Sequence, residues 1–318
     1  MTKKIIFIIL IIHFSIISNV YAQFEYQILS DIQIGEKDNQ VKIADLLDCL
    51  DFEISGEKVY IVDFPSNCIK VFNFDNDYLF KIKIPTNHIM RIYSIRDYLV
   101  IISDEPAIFL TDLHGIVLNK KVIKEQRVHI CSTFFYKNLI FLPKGQQQWG
   151  SIREDMILYE IFLPDTSHSN KFSIQKSEVL QNSYNPVMNF NFFPIEREHQ
   201  KYLKKLKYAE FNSQSVDYIL FSIDPEEYLK PPTFYIYTKH DSSFKKIGIL
   251  PEEQIGSVWA GGFGYRTKIY QNKLYFLGIK NKEEYFNNES KIIKYIIISS
   301  LDLNQLKDLP AINSPWQN

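Results

Sequence analysis

Three short apolar runs decide the fold: KVYIVD at 58–63, CIKVFNFD at 68–75 and YLFKIKI at 78–84. Each run is bounded by Asn, Asp, Pro or Ser and is rich in β-branched and aromatic residues, which favour strands. Three such runs in close succession predict an antiparallel β-meander.

The signal of the second strand recurs along the chain. After KVYIVD it returns as YLVIISD at 98–104, NLIFLP at 138–143, YILFSID at 218–224 and KLYFLG at 273–278. The first three of these runs begin 40 residues apart, at 58, 98 and 138, and the fourth begins 80 residues later, at 218. About 40 residues make one four-stranded propeller blade. We therefore expect an all-β fold, a six-bladed β-propeller of four-stranded antiparallel blades, with one obscured unit near 175–212.

Two further segments belong to this expected domain. The strand at 24–34 has no partner nearby, and we expect it to close the last blade by pairing with residues 292–308, which removes an open edge. The charged run at 196–211 has one apolar helical face, which predicts a helical insertion near 194–210.

The competing fold is a β-sandwich, which has strands at a similar density. Sandwich strands need not recur in groups of four, so the 40-residue spacing favours the propeller.

The first 22 residues have the pattern of a cleavable secretory signal. A charged start precedes the apolar run at 5–17, and Val20 and Ala22 occupy the −3 and −1 positions of a cleavage site. An uncleaved membrane anchor is the alternative, but a spanning helix needs about 20 apolar residues. The residue directly after the cleavage point is Gln23 and not a cysteine, so a lipid anchor there is not supported. We expect a single exported domain at 23–318, periplasmic or extracellular.

Charge excludes one class of partner. Without Lys3 and Lys4 the chain has 34 basic and 37 acidic residues, a net charge of −3. Nucleic-acid-binding proteins carry a clustered basic surface, so we expect no nucleic-acid partner. We also expect no membrane insertion once the signal is removed.

The three cysteines, Cys49, Cys68 and Cys131, include no C-x-x-C pair, so neither a zinc ribbon nor a thioredoxin-type site is predicted. We place Cys49 on the first strand of the first blade and Cys68 on the third. Strands two apart are separated by about 9.6 Å, whereas a disulfide needs Cα atoms within about 7 Å. We expect three free thiols.

The segment 41–84 resembles the opening of exported bacterial six-bladed propellers related to NHL and TolB-type repeats. The positions that carry this resemblance are Lys42, Ile43, Asp45, Val59, Tyr60, Asp63, Val71 and Phe72. The clear match covers about one blade, and PTNHIM replaces the Gly-rich turn that commonly follows that blade in the family. The resemblance implies a propeller and export, but no particular activity.

Motifs for catalysis and cofactor binding are missing from the sequence. It has no G-x-S-x-G, no phosphate loop, no H-E-x-x-H and no calcium loop, and residues 73–77 are predicted to form a turn. We expect no cofactor and no metal. These absences favour a binding protein over an enzyme, although a propeller enzyme assembles its site from several blades.

The connections between second and third strands lengthen along the chain. They are short in the first two units but cover 143–155, 225–232 and 279–290 in later ones, and they emerge on the same face as the connection at 255–268. Function in repeat proteins concentrates where insertions map. The aromatic residues that we expect to bind ligand there are Trp149, Tyr228, Trp259 and Tyr285.

The first strand of each blade lines the axis of a propeller. On these strands we expect Arg91, His129 and Arg266 to point into the channel, where a buried charge needs a partner or water. A role in bridging blades is the alternative to ligand binding.

Two functions follow as hypotheses. The first is a non-catalytic binding or scaffold propeller with a glycan or protein ligand on the long-looped face. The second is a hydrolase or lyase with its site in the axial pocket. A purely structural envelope protein is a third possibility. An enzyme needs titratable groups that converge within about 4–6 Å and have opposed pKa shifts.

We expect the exported protein to begin at Gln23, because cleavage follows Ala22. Intact-mass measurement of protein recovered outside the cytoplasm should show the loss of residues 1–22. Recovery of the uncleaved chain in the membrane fraction would contradict the signal assignment.

Overall fold

A computed structural model describes residues 26–43, 50–125, 128, 130, 133–136, 138–144, 154–164, 171–183, 209–214, 218–223, 233–238, 240, 243–248, 267–286, 289–307 and 309–311. Over these ranges the chain is all-β, with five four-stranded antiparallel sheets and a 3-10 helix at Leu303–Leu306. None of the helices within the same ranges is both long enough and apolar enough to cross a membrane.

The strands follow one another in sequence within each sheet, except that the first strand of the chain joins the last sheet. Strand β1 is Tyr26–Gln33. Sheet I contains β2 (Phe52–Ser55), β3 (Lys58–Asp63), β4 (Cys68–Asn73) and β5 (Tyr78–Ile82). Sheet II contains β6 (Ile89–Ile95), β7 (Tyr98–Ser103), β8 (Ala107–Asp112) and β9 (Val117–Val122). Sheet III contains β10 (Phe134–Tyr136), β11 (Leu139–Lys144), β12 (Glu154–Phe162) and β13 (Ser173–Ser183). Sheet IV contains β14 (Ala209–Gln214), β15 (Tyr218–Ile223), β16 (Thr233–Thr238) and β17 (Ser243–Gly248). Sheet V contains β18 (Thr267–Tyr270), β19 (Lys273–Phe286), β20 (Glu289–Asp302) and β1.

The recurring signal marks the second strand of every sheet, as predicted. Strands β3, β7, β11, β15 and β19 begin within one residue of the starting points read from the sequence. A tight hairpin precedes several of them. In sheet I its turn is formed by Gly56 and Glu57, which both have positive φ (54° and 61°), the conformation that two-residue hairpins with the twist of a sheet require.

Strand β1 closes the last sheet, which confirms the prediction for residues 24–34. It pairs antiparallel with β20, from Tyr26 opposite Leu301 to Gln33 opposite Tyr295. The Ile34 amide extends the contact by donating to the carbonyl oxygen of Lys294 at 2.8 Å. The first and the last strand of the described chain therefore both lie in sheet V.

The outer ladder of every sheet is irregular. A β-bulge or another register shift interrupts the pairing of the third and fourth strands in all five sheets. Bulges increase the local twist and make an exposed edge a poor template for pairing with another chain.

The core is divided into apolar clusters that lie between sheets. One cluster joins sheets I and II, a second joins II and III, and a third joins IV and V. A fourth joins sheet V to sheet I, with Ile32, Phe52 and Ile296 among its buried members. The last sheet, sheet V, therefore packs against the first, sheet I.

One predicted loop is wrong. Residues 279–286 continue the pairing of β19 with residues 289–296 of β20, from Ile279 opposite Ile296 to Phe286 opposite Glu289. Their polar sequence is typical of a loop, but backbone hydrogen bonds between two strands do not depend on apolar side chains. The segment is a long hairpin.

The ends of the expected sixth unit belong to other sheets. Residues 175–183 lie in β13, and residues 209–212 lie in β14. The predicted helix at 194–210 is wrong for its last two residues, Ala209 and Glu210. They lie in a strand, because they pair antiparallel with Ile223 and Ser222 of β15. Residues 184–208, like the signal at 1–22, lie outside the described residues.

The cysteine prediction is confirmed for Cys68, which is buried on β4 and is a free thiol. Burial raises the pKa of this thiol above its ordinary value, and the neighbouring Asp63 carboxylate adds to the shift. Cys49 and Cys131 lie outside the described residues. Strand β2, the first strand of sheet I, begins at Phe52, later in the chain than the sequence analysis places it.

We expect Ile32→Ala to weaken the closure of sheet V. Ile32 is 2% exposed in the cluster between sheets V and I, and truncating a buried isoleucine costs about 2–5 kcal/mol. Urea denaturation should show that loss in the free energy of unfolding. The control is Ile28→Ala on the same strand, where the side chain is 54% exposed and the expected change is within about 0.5 kcal/mol. Equal effects of the two substitutions would contradict the role of β1.

Candidate functional site

One face of the molecule gathers two kinds of connection. The first kind joins the second and third strands of a sheet, and the second kind joins the fourth strand of a sheet to the first strand of the next. Their described parts are the segments 34–43, 64–67, 83–88, 104–106 and 123–125, which we call the connection face. The contacts described next join the first four of these segments, and the Ile123 amide joins the fifth by donating to the carbonyl oxygen of Pro106 at 2.6 Å.

A buried ion pair holds the segment 34–43 against sheet I. Lys70 Nζ lies 3.0 Å from Asp63 Oδ2, and both side chains are almost completely buried. The same ammonium donates to the carbonyl oxygens of Lys37, at 3.3 Å, and Gln40. Asp63 also accepts from the amides of Lys42, at 3.2 Å, and Ser66, at 3.1 Å. Asp63 therefore fixes both a connection and a turn on this face.

A seam joins sheets I and II on the same face. The Asn67 side-chain amide donates to the carbonyl oxygen of Thr86 at 2.5 Å. The rings of Phe64 and His88 stack, with centroids 4.7 Å apart and planes 20° apart. The Asp104 amide donates to the carbonyl oxygen of His88 at 3.1 Å. Turns and connections from two sheets thus form one continuous surface.

The first strands of four sheets are linked by side chains that we call the axial chain: Phe135, Tyr93, Lys268 and Glu53. The ring of Phe135, on β10, stacks on that of Tyr93, on β6, at 5.5 Å. Lys268 Nζ, on β18, lies 4.5 Å from the centroid of the Tyr93 ring and 3.2 Å from Glu53 Oε2. The axial chain therefore joins sheets III, II, V and I.

Protein groups surround the Glu53 carboxylate. Its Oε1 accepts from the Ile54 amide at 3.0 Å, and its Oε2 accepts from the Ser94 amide at 3.1 Å. Lys268 Nζ donates at the same time to the carbonyl oxygen of Ile92 at 3.1 Å. Burial raises the pKa of Glu53 above its ordinary value, although the Lys268 charge and the hydrogen bonds oppose the shift and nearby Asp51 adds to it.

This arrangement suits a structural contact better than acid–base chemistry. A general acid or base must face a substrate atom within hydrogen-bond reach, whereas both oxygens of Glu53 are engaged by the protein. Asp51, on the same side of sheet I, accepts from the Ile92 amide at 3.0 Å and likewise ties sheet I to sheet II.

Few of the sequence-predicted site residues lie in described positions. Arg91 lies on the first strand of sheet II, as predicted, and it is buried directly after a register shift in β6. Tyr285 lies in β19 opposite Ser290, in the hairpin that replaces the expected loop. Trp149, Tyr228, Trp259, His129 and Arg266 lie outside the described residues.

The sequence analysis missed Glu53, Tyr93 and Lys268. The sequence analysis named Arg266, which lies outside the described residues, and did not consider Lys268, which the structure places in the axial chain. Glu53 was missed because the first strand of sheet I was placed too early. The turn at Gly56 and Glu57, directly before KVYIVD, is the signal that locates that strand.

No metal centre is found among the residues described: no group of three or more His, Cys, Asp and Glu side chains is arranged there to hold an ion. The segment 73–77 forms a turn, as predicted. The Asn73 side-chain oxygen accepts from the amides of Asp75, at 3.0 Å, and Asp77, at 2.8 Å.

We expect Glu53→Gln to change how stability depends on pH. The pKa of Glu53 is higher in the folded chain than in the unfolded chain, so the folded state loses stability as this carboxyl ionises, from about pH 4 upward. In urea titrations between about pH 4 and pH 8, the free energy of unfolding of the wild type should fall relative to that of Glu53→Gln. The variant Glu36→Gln, on the exposed part of the connection face, controls for the loss of one carboxylate. Parallel curves for wild type and Glu53→Gln would contradict this account of the axial chain.

No family model matches the sequence, and no curated protein matches it. Among solved structures, the chain is similar to a chain of the S. cerevisiae complex of Dbp5 with Nup159, Gle1, IP6 and ADP, with 10% sequence identity and a TM-score of 0.31, over 88% of this chain and 95% of that one. It is also similar to Raptor of Chaetomium thermophilum, with 10% identity and a TM-score of 0.31, over 79% of this chain and 19% of that one. The chain thus spans about a fifth of the Raptor chain.

Proposed function

We propose that this chain is an exported β-propeller whose connection face binds a glycan or protein ligand without catalysing a reaction. Each of the five sheets is a blade in this proposal. Four apolar clusters support it, between sheets I and II, II and III, IV and V, and V and I, because blades of a propeller pack face to face around a ring. Contacts of β2 with β6, of β18 with β2 and of β14 with β18 support the assignment of first strands to the axis.

The proposal counts five blades where the repeat spacing predicts six. Residues 184–208 number 25, too few for the four strands that a unit of 40 residues provides. The proposal therefore assigns no blade of its own to the interval between sheets III and IV. An experimental structure with a sixth four-stranded sheet in this interval would overturn the count.

Binding is favoured over catalysis because the connection face and the axial chain differ in the groups that they offer to a ligand. The connection face gathers the turns and connections, and the sequence adds Trp149, Tyr228 and Trp259 in the longest of them. Aromatic rings beside directional polar groups suit sugars and peptides. At the axis, by contrast, Glu53 and Lys268 are engaged with each other and with backbone groups. That engagement is the single observation that favours binding over the alternative, a hydrolase or lyase in the axial pocket.

Export is part of the proposal. The signal pattern at 1–22 and the resemblance of 41–84 to exported six-bladed propellers related to NHL and TolB-type repeats both support it. The ligand is then a molecule of the periplasm or the exterior.

We expect Trp259→Ala to weaken ligand binding by at least about tenfold without unfolding the domain, because a buried aromatic anchor contributes about 2 kcal/mol or more. The mature chain would be tested on arrays of immobilised oligosaccharides and envelope-derived peptides, with thermal unfolding measured in parallel. Arg96→Ala, in a turn between first and second strands on the opposite side of sheet II, is the control and should keep full binding.

A loss of thermal stability as large as the loss of binding would show that Trp259 belongs to the core. Release of soluble fragments from the arrayed oligosaccharides or peptides would favour the hydrolase or lyase.

A further inference from the structure

The seam between sheets I and II contains three buried polar atoms without a hydrogen-bond partner: Asn67 Oδ1, Thr86 Oγ1 and His88 Nδ1. Most buried polar atoms of side chains in folded proteins have a partner. Leaving one without a partner costs the free energy of its desolvation. Three such atoms in a single seam are therefore available to a group that binds there.

The three atoms belong to one small region. The Asn67 amide nitrogen already donates to the Thr86 backbone, and the ring stacked on His88 belongs to Phe64, three residues before Asn67. Other buried hydroxyls without a partner occur in the described chain, such as those of Thr267 and Ser299, but they lie on separate strands.

All three atoms can accept a hydrogen bond. The carbonyl oxygen of an Asn side chain accepts only, a Thr hydroxyl accepts as well as donates, and His Nδ1 accepts when Nε2 carries the proton. The missing group is therefore a donor, or a set of donors close together. Neighbouring hydroxyls of a sugar form such a set of donors. In an extended peptide, by contrast, only every second residue directs its backbone amide to the same side.

The ring pair above these acceptors suits the same ligand class. Phe64 and His88 are both half-buried on the connection face, with near-parallel rings. A partly exposed aromatic face beside directional polar groups is a common way to hold a ligand that is apolar on one side and polar on the other.

We propose that this seam is a carbohydrate subsite in which hydroxyl groups of the sugar donate to Asn67, Thr86 and His88. The proposal rests on the proposed function, since it names the ligand class for the connection face. The acceptors are buried while the rings are only half-buried, so the sugar reaches the acceptors when the Phe64–His88 pair moves outward.

The test uses Thr86→Val, which removes the hydroxyl and keeps the shape of the side chain. The mature chain would be screened against immobilised glucose, galactose, mannose and N-acetylglucosamine oligosaccharides, and the best binder titrated by calorimetry. We expect at least a fivefold weaker affinity and an unchanged or higher midpoint of thermal unfolding, because the variant no longer buries a hydroxyl without a partner.

The matched control is Thr111→Val in β8. That hydroxyl is buried too, but it donates to the carbonyl oxygen of Asp112 at 2.8 Å. The control should lower the unfolding midpoint and leave the affinity unchanged, which is the opposite pattern.

Three results would overturn the subsite. The first is equal affinity of Thr86→Val and wild type. The second, measured on the wild type and so independent of any variant, is a His88 Nδ1 nitrogen resonance that does not shift when the oligosaccharide saturates the protein. The third is the failure of every oligosaccharide to bind. A protein ligand whose binding requires Trp259 would in that case leave the proposed function standing without this subsite.

Discussion

The pairing of β1 with β20 sets the positions of both the first and the last sheet. Seven residue pairs join these strands, and they place Ile32 in the apolar cluster between sheets V and I. The chain then passes directly from β1 through the segment 34–43 towards β2, and the Asp63–Lys70 pair clamps that segment onto sheet I. Without β1, the outer edge of β20 would be open and the cluster between the two sheets would be incomplete.

The two buried ion pairs of the described chain specify geometry more than they add stability. Burying charges has a desolvation cost that can exceed the attraction between them, although removing one partner alone is strongly destabilising. Asp63 with Lys70 fixes the entry to sheet I, and Glu53 with Lys268 fixes sheet V beside sheets I and II. Each pair also binds backbone groups of other segments, so an alternative packing would lose several hydrogen bonds together. This role accounts for charged residues within otherwise apolar strands.

The sequence predicted the strands well because apolar alternation and turn residues are local signals. The starts of β3, β7 and β19 follow from such patterns, as does the unpaired first strand that closes sheet V. The hairpin at 279–290 could not be predicted in this way, since its pairing is made by the backbone and its side chains give no apolar period. The contacts of Lys268 could not be predicted for another reason. Strand β18 has four residues, and Lys268 meets Tyr93 and Glu53 of sheets II and I. These partners lie more than 170 residues away in the sequence, so no local pattern indicates them.

The charged groups of the axial chain and the polar acceptors of the seam differ in how the protein engages them. Along the axial chain, the charged groups of Glu53 and Lys268 bind to one another and to backbone of neighbouring sheets, so a ligand there would have to compete with existing contacts. In the seam, Thr86 and His88 have acceptors that the described protein leaves unused. A ligand gains most where the protein has already borne the cost of desolvating a polar group and has not replaced the lost hydrogen bond. This difference directs the search for a ligand to the connection face, where the sequence predicts Trp149 and Trp259 in two of the connections.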